Sequence, residues 1–159
     1  YVPGDHYKST EELIHLLVKI VSRGGNFLLN IGPGPNGEWD PEAYKRLAEI
    51  GEWMKKNQEG IYDSRPLAPY SSDNIYFTKN KNEKTWCAYY LTDSTHRELP
   101  GEVILKNLLL PKGSIVTLAD VKTNLRWKME NGNTVISLPH TAIAKKDMSY
   151  AVLFQIKLK

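Results

Sequence analysis

The sequence predicts an α/β segment followed by an all-β one, the end of a β/α barrel joined to an antiparallel β-sandwich. Three observations carry this. Two amphipathic helical patterns bracket one short apolar run in the first third of the chain. From about Ser71 the spacing of apolar residues changes from a helical period of about 3.6 to an alternation of about 2. Seven short runs of strand character then follow, separated by turn residues. The change falls in a stretch with two prolines, Tyr62 to Ser72, that reads as a linker. Residues 1–66 are therefore expected to form the barrel end and residues 67–159 the sandwich.

Ser9-Thr10-Glu11-Glu12 has the pattern of a capping box: the Ser9 hydroxyl accepts from the amide three residues on, and Glu12 reaches back to the Ser9 amide. Leu13, Leu17 and Ile20, with Ile14, Val18 and Val21, recur at helical spacing and make a wide apolar face. Lys19 and Arg23 suit the negative end of the helix dipole, and Gly24-Gly25 stops the helix. Asn26 to Ile31 is a continuous apolar run flanked by glycine, which reads as a strand buried on both faces, as in a parallel sheet or barrel. After a loop at 32–39, Asp40 caps a second helix with Pro41 at its first position. Tyr44, Leu47, Ala48, Gly51 and Met54 trace the face expected to be buried. One such strand cannot make a sheet, so residues 1–66 are not expected to fold alone.

The strand runs expected in the second part are Asn74–Thr78, Thr85–Leu91, Val103–Leu105, Ser114–Ala119, Leu125–Glu130, Asn133–Leu138 and Tyr150–Leu158. Asn131-Gly132, set between two alternating runs, is a strong two-residue hairpin signal.

Totals narrow the function classes. The net charge is +3, with 8 Lys/Arg against 10 Asp/Glu in residues 1–66 and 13 against 8 in the rest. The lysines of the basic part are scattered rather than clustered, so no nucleic-acid partner is expected. No apolar run approaches the roughly 20 residues of a membrane span, so no membrane partner is expected either. The single cysteine, Cys87, excludes an internal disulfide framework and reads as a buried, inert thiol. The chain opens on Tyr1 with no leader pattern, and its true N-terminus is expected to lie upstream.

Gly32-Pro33-Gly34-Pro35-Asn36-Gly37 matches G-x-G-x-x-G between a strand and a helix, the fingerprint of a dinucleotide site. The chemistry argues against it. Pro33 and Pro35 each remove an amide from the cradle, and Glu38, Asp40 and Glu42 put three acids where an anion would sit. No second strand with a terminal acid follows at the required distance. No cofactor is expected, and the segment reads as a shaped turn at the end of a barrel strand. In such barrels the active site lies at the C-terminal ends of the strands. Asn30 sits at that end, where it either meets a substrate or satisfies neighbouring backbone. Trp39 either stacks on a sugar or lids the rim.

His6, His15, His96 and His140 have no metal spacing among them, and no metal site is expected. His15 reads as a packing histidine. His6 lies in the segment leading into the first helix, within possible reach of a pocket. Glycoside hydrolysis needs two carboxylates about 5 Å apart in a retaining enzyme. Glu11, Glu12, Glu49, Glu52 and Glu59 fall on helices, while Asp73, Glu83, Asp93 and Asp120 fall at turns or strand ends. Only Glu38 and Asp40 are on the right loop, and Asp40 is needed as a cap, so no catalytic dyad is legible.

The run from Glu12 to Pro33 resembles the last β/α unit of family 29 glycoside hydrolases, the α-L-fucosidases, where a helix ends in glycine before N-[LF]-L-L-N-[IV]-G-P. The resemblance continues at Asn36-Gly37, through Leu47-Ala48-Glu49-Ile50-Gly51-Glu52-Trp53-Met54, and through Asn57 to Pro66, with Gln58 where glycine is usual. Beyond residue 66 only the all-β character agrees. The resemblance implies a TIM-like (β/α) barrel followed by a C-terminal sandwich, and retaining hydrolysis of terminal α-L-fucose from glycans. It implies that nucleophile and acid/base lie outside this chain, leaving it inactive alone. The implied partners are a fucosylated glycan and the N-terminal remainder of the barrel. Tyr1, Asn30 and Trp39 become candidate substrate contacts, and a secreted, periplasmic or lysosomal location is implied. A different class of reading is a non-catalytic carbohydrate-binding sandwich that stacks sugars on Trp86, Tyr89, Tyr90 and Trp127.

Overall fold

In the computed structural model the described residues are 2, 4–92, 98–119, 121–140 and 150–159, so Tyr1, Asp93, His96 and Asp120 lie outside them. Two helices come first, α1 (Thr10–Val21) and α2 (Pro41–Asn57), the second running into a three-residue 3-10 turn at Gln58–Gly60. Among the described residues eight strands follow: β1 (Ser64–Ser72), β2 (Ile75–Asn80), β3 (Thr85–Leu91), β4 (Glu102–Leu105), β5 (Ile115–Leu118), β6 (Val121–Glu130), β7 (Asn133–Ser137) and β8 (Ala151–Lys157).

Both helices begin as their caps dictate. Ser9 Oγ accepts from Glu12 N–H at 3.1 Å, and Ser9 N–H donates to Glu12 Oε2 at 2.7 Å. That backbone bond holds the Glu12 carboxyl below its ordinary range. Asp40 Oδ1 accepts from Glu42 N–H at 2.9 Å ahead of Pro41. The end of α1 is a Schellman pattern: Gly24 N–H reaches Val21 O at 2.9 Å and Gly25 N–H reaches Ile20 O at 3.0 Å, with Gly24 at φ +83°.

The strands form one ladder in the order β1-β2-β3-β8-β5-β6-β7-β4, each neighbouring pair antiparallel. The ladder folds over on itself at β6. That strand pairs with β5 through Val121, Asn124 and Leu125, and with β7 through Arg126 to Glu130. One strand shared by two layers makes a corner, so the sandwich is a single curled sheet. The β6–β7 hairpin turns at Asn131 (φ 50°) and Gly132 (φ 75°), the two positive values of a type I′ turn.

The expected linker at Tyr62 to Ser72 is instead largely strand β1. Proline is tolerated there because β1 is an edge strand, bonded to β2 alone, and its outer amides need no partner in the ladder. The register shifts between Pro66 and Ser71, around Pro69.

Alternation along the strands sends side chains to two different cores. Phe77, Ala88, Val116, Leu118, Val152, Phe154 and Ile156 face inward against Val103, Leu105 and Ile136 from the folded-over half. Trp86, Tyr90 and Trp127 pack on the same core and are half-buried. The opposite face of β2, β3 and β8 carries Tyr76, Cys87, Tyr89, Leu91, Ala151 and Leu153, covered by Ile14, Val18 and Trp53 of the helices. The helices thus form a third layer on the sheet. Docking through Trp53 turns α2 so that Ala43, Trp53 and Asn57 are buried, while Tyr44 and Ala48, expected inside, are exposed.

Polar bonds pin this seam. Tyr89 is fully buried; its hydroxyl donates to Asn57 O at 2.6 Å and accepts from Gly60 N–H at 3.1 Å. Thr78 Oγ1 donates to Gly60 O at 2.9 Å, Trp53 Nε1 to Ala151 O at 3.2 Å, and His15 Nε2 to Tyr150 O at 2.8 Å. His15 is therefore the packing histidine expected. Gly60 is required by space: a Cβ there would lie 2.7 Å from Cys87 Cβ and 2.7 Å from Tyr89 Cε2.

The run Asn26–Ile31, expected as a strand buried on both faces, is not a strand here. No backbone hydrogen bond is made by 26–33 among the described residues, and Leu28 is 81% exposed. A parallel strand needs neighbours on both edges and cover on both faces, and among the described residues no other strand lies beside it.

Two predictions test the seam. Tyr89→Phe leaves Gly60 N–H and Asn57 O without their partner and should lower stability by about 1–3 kcal/mol. Gly60→Ala should cost roughly as much through overpacking. Urea midpoints of both variants decide this, and losses within about 0.5 kcal/mol would remove the seam from the argument. The second prediction concerns pH. Burial pushes the Cys87 thiol from 9.0 up to about 12 and the Tyr89 phenol well above its ordinary 10.0. Both folded values exceed the unfolded ones, so this contribution is intact below pH 9.0 and is lost as pH rises toward about 12. The urea midpoint should fall in that window, and less steeply in Cys87→Ala. A flat profile above pH 9.0 contradicts the assignment.

Candidate functional site

Residues 27–32 line two grooves that share part of their walls. The larger, of about 320 Å³, is walled by Leu13 and Leu16 of α1, by Ala43, Arg46 and Leu47 of α2, by Phe27 to Ile31, and by His6, Tyr7 and Lys8. The smaller, of about 220 Å³, is lined by Val2, Asp5, His6, Tyr7, Asn30, Ile31 and Gly32. His6, Tyr7, Asn30 and Ile31 are common to both. The structure thus brings Asn30 and His6 together at the C-terminal end of the apolar run.

The entering segment is held by Arg46. Its Nε donates to Lys8 O at 3.0 Å, while Glu42 lies at 2.5 Å and Glu49 at 3.5 Å from its guanidinium. Thr10 Oγ1 also donates to Glu49. These bonds tie residues 8–10 to α2, so the groove wall is a fixed surface. Sequence reading missed Lys8 and Arg46 as groove residues. The i,i+4 spacing of Glu42 and Arg46 was the available signal, yet nothing local shows that Arg46 reaches 38 residues back.

Asn30 is exposed, and its side chain makes no hydrogen bond among the described residues. It therefore does not satisfy neighbouring backbone within this part of the molecule. An exposed amide offers both a donor pair and an acceptor to a ligand.

Trp39 lines neither groove. It is 39% exposed and packs against Tyr44, ring centroids 5.4 Å apart. The loop that carries it is closed by its own amides: Gly34 N–H donates to Glu38 O at 2.7 Å and Gly37 N–H to Gly34 O at 2.9 Å. Two of the amides that a phosphate cradle would need thus point into the loop. Glu38 Oε2 accepts from the Tyr44 hydroxyl at 3.0 Å, and Asp40 is engaged as a cap.

Other acids are spoken for as well. Glu59 Oε2 accepts from Gln155 Nε2 at 2.6 Å, and Lys81 at 2.5 Å draws the Asp63 carboxyl below its ordinary range. Among the described residues no three His, Cys, Asp or Glu side chains are placed to hold a metal ion. No helix there is long and apolar enough to cross a membrane. The four aromatics that might have stacked sugars form no open platform, since Tyr89 is fully buried and the other three pack on the core.

Comparison with known proteins identifies the family. Residues 1–59 match the family model described as alpha-L-fucosidase. Tissue alpha-L-fucosidase of Mus musculus is 34% identical over 133 residues, covering 80% of this chain and 28% of that protein. Alpha-L-fucosidase of Dictyostelium discoideum is 36% identical over 140 residues, covering 87% of this chain and 28% of its own length. A crystal structure of Thermotoga maritima alpha-fucosidase superposes with a TM-score of 0.82 and 26% identity, over 98% of this chain and 36% of that one. The chain spans under a third of the length of the two curated relatives. Similarity over most of this chain, in helices and curled sheet alike, places it in the α-L-fucosidase family.

Proposed function

We propose that this chain is the C-terminal portion of a retaining α-L-fucosidase that removes terminal α-L-fucose from glycans. Residues 1–66 supply the last β/α unit of the catalytic barrel, and residues 67–159 form the sheet domain that braces it. The run at 26–31 carries the reading. It is apolar, set between two helices, and unbonded along its backbone among the described residues. Strands from the remaining polypeptide on both edges would satisfy those groups and cover Leu28. Asn30 and the loop after it would then lie at the C-terminal rim, where barrels hold their substrates. The nucleophile and the acid/base belong to that remainder, about 5 Å apart as retention requires. Asn30, Trp39 and Tyr1 are the substrate contacts from this chain. The sheet acts as the brace through the Trp53 and Tyr89 seam rather than as a glycan-binding module.

The test is hydrolysis of an aryl α-L-fucoside, with the mass of the protein confirmed in the same sample. The 159-residue chain should show no turnover, and the same chain joined to the rest of its barrel should turn over. Turnover at the mass of this chain alone would place the carboxylates here and overturn the proposal. Within the joined enzyme, Asn30→Ala should lower kcat/KM by roughly 5- to 150-fold, the loss of one buried polar contact of about 1–3 kcal/mol. In the isolated chain the same change should alter stability by less than about 0.5 kcal/mol, because Asn30 holds nothing there.

A further inference from the structure

Trp39 and Tyr44 are large aromatics left open side by side, 39% and 48% exposed, with ring planes at 44°. Leaving such rings in water forgoes burial worth far more than their mutual contact, so a rigid exposed pair is a surface for a ligand or for the remainder of the barrel to cover. Rigidity has several sources. The loop is cross-linked from Gly34 to Glu38, and Glu38 N–H donates to Asn36 Oδ1 at 3.2 Å. Asp40 caps the helix that presents Tyr44. The Tyr44 hydroxyl is tied to Glu38 Oε2 at 3.0 Å. That bond uses one of about four lone-pair sites on the carboxylate, so Glu38, itself exposed, can still accept from hydroxyl donors. The loop starts at Gly32 in the groove with Asn30 and His6 and ends at Trp39. On the fucosidase reading it is the loop that follows the strand carrying Asn30, on the substrate side of the barrel.

We propose that Trp39, Tyr44 and Glu38 form an aglycone subsite, a shelf for the pyranose ring that carries the fucose. The C–H face of a pyranose is apolar and flat enough to lie on an aromatic ring, while its ring-edge hydroxyls donate to a carboxylate. Pre-ordered rings and a pre-oriented carboxylate bind such a unit at little conformational cost. The assignment rests on the fucosidase reading and adds to it the sugar beyond the scissile bond. A competing occupant is the remainder of the barrel, packed over the two rings.

Two substrates of the joined enzyme separate these cases. α-L-Fucosyl fluoride has a leaving group too small to reach the shelf, whereas a fucosylated trisaccharide cleaved by the unmodified enzyme, fucosyl-lactose as first choice, fills it. Trp39→Ala should raise the ratio of KM for the trisaccharide to KM for the fluoride by about three- to tenfold. Trp39→Phe should recover part of that ratio, and Glu38→Gln should raise it more modestly. An equal change in both KM values, or no change in either, overturns the subsite. The second result, with a lower unfolding midpoint, identifies the barrel remainder as the occupant. If the unmodified enzyme hydrolyses neither substrate, the fucosidase reading fails and the shelf loses its ligand with it. If it hydrolyses both and the ratio stays constant in Trp39→Ala, the subsite alone fails.

Discussion

The hydroxyl of Tyr89 stands where three requirements meet. The last carbonyls of a helix have no partner within it, and Asn57 O is one of them. The turn that follows brings Gly60 so close to β3 that its N–H is shut off from water. The sheet face beneath is dry, lined by Cys87, Leu91 and Leu153. One phenol donates to the carbonyl and accepts from the amide, so two backbone groups are buried without loss. Trp53 lies over the same ring, centroids 6.0 Å apart, and sends its own N–H to Ala151 O. The place where the helices end is thereby locked to the place where β8 begins.

From this lock follows the orientation of everything N-terminal to it. With Trp53 and Asn57 facing the sheet, the opposite side of α2 turns outward and carries Tyr44 beside Trp39. With Ile14 and Val18 held on the same face, α1 is seated on the sheet beside Trp53 of α2. The sheet is therefore the surface on which the two helices are seated. Ion pairs along α2 finish the job locally: Arg46, drawn by Glu42 and Glu49, grips the backbone at Lys8.

Much of the local structure was readable because its causes are local. A capping box needs four residues, a Schellman ending needs two glycines, and a type I′ hairpin needs Asn131-Gly132 between alternating runs. Each appears where its residues stand. The burial of Cys87 and the shared face of Trp86, Ala88 and Tyr90 follow from simple alternation. Residues 62–72 misled because proline and serine suggest a linker, whereas an edge strand tolerates both once β2 is beside it. Tyr44 misled because an amphipathic stripe shows that a face is buried without showing which neighbour buries it.

The sequence by itself determined the caps, the turns, the alternation of the strands and the kinship of residues 1–66, since each depends on neighbours a few positions apart. Tertiary structure alone decided that the helices close over the sheet, that β6 serves two layers, that Gly60 must lack a side chain, and that Asn30 and His6 line one groove. These depend on residues far apart in the chain, as much as 135 positions for His15 with Tyr150. They arise when apolar faces of no fixed partner find the arrangement that leaves the fewest buried polar groups unsatisfied.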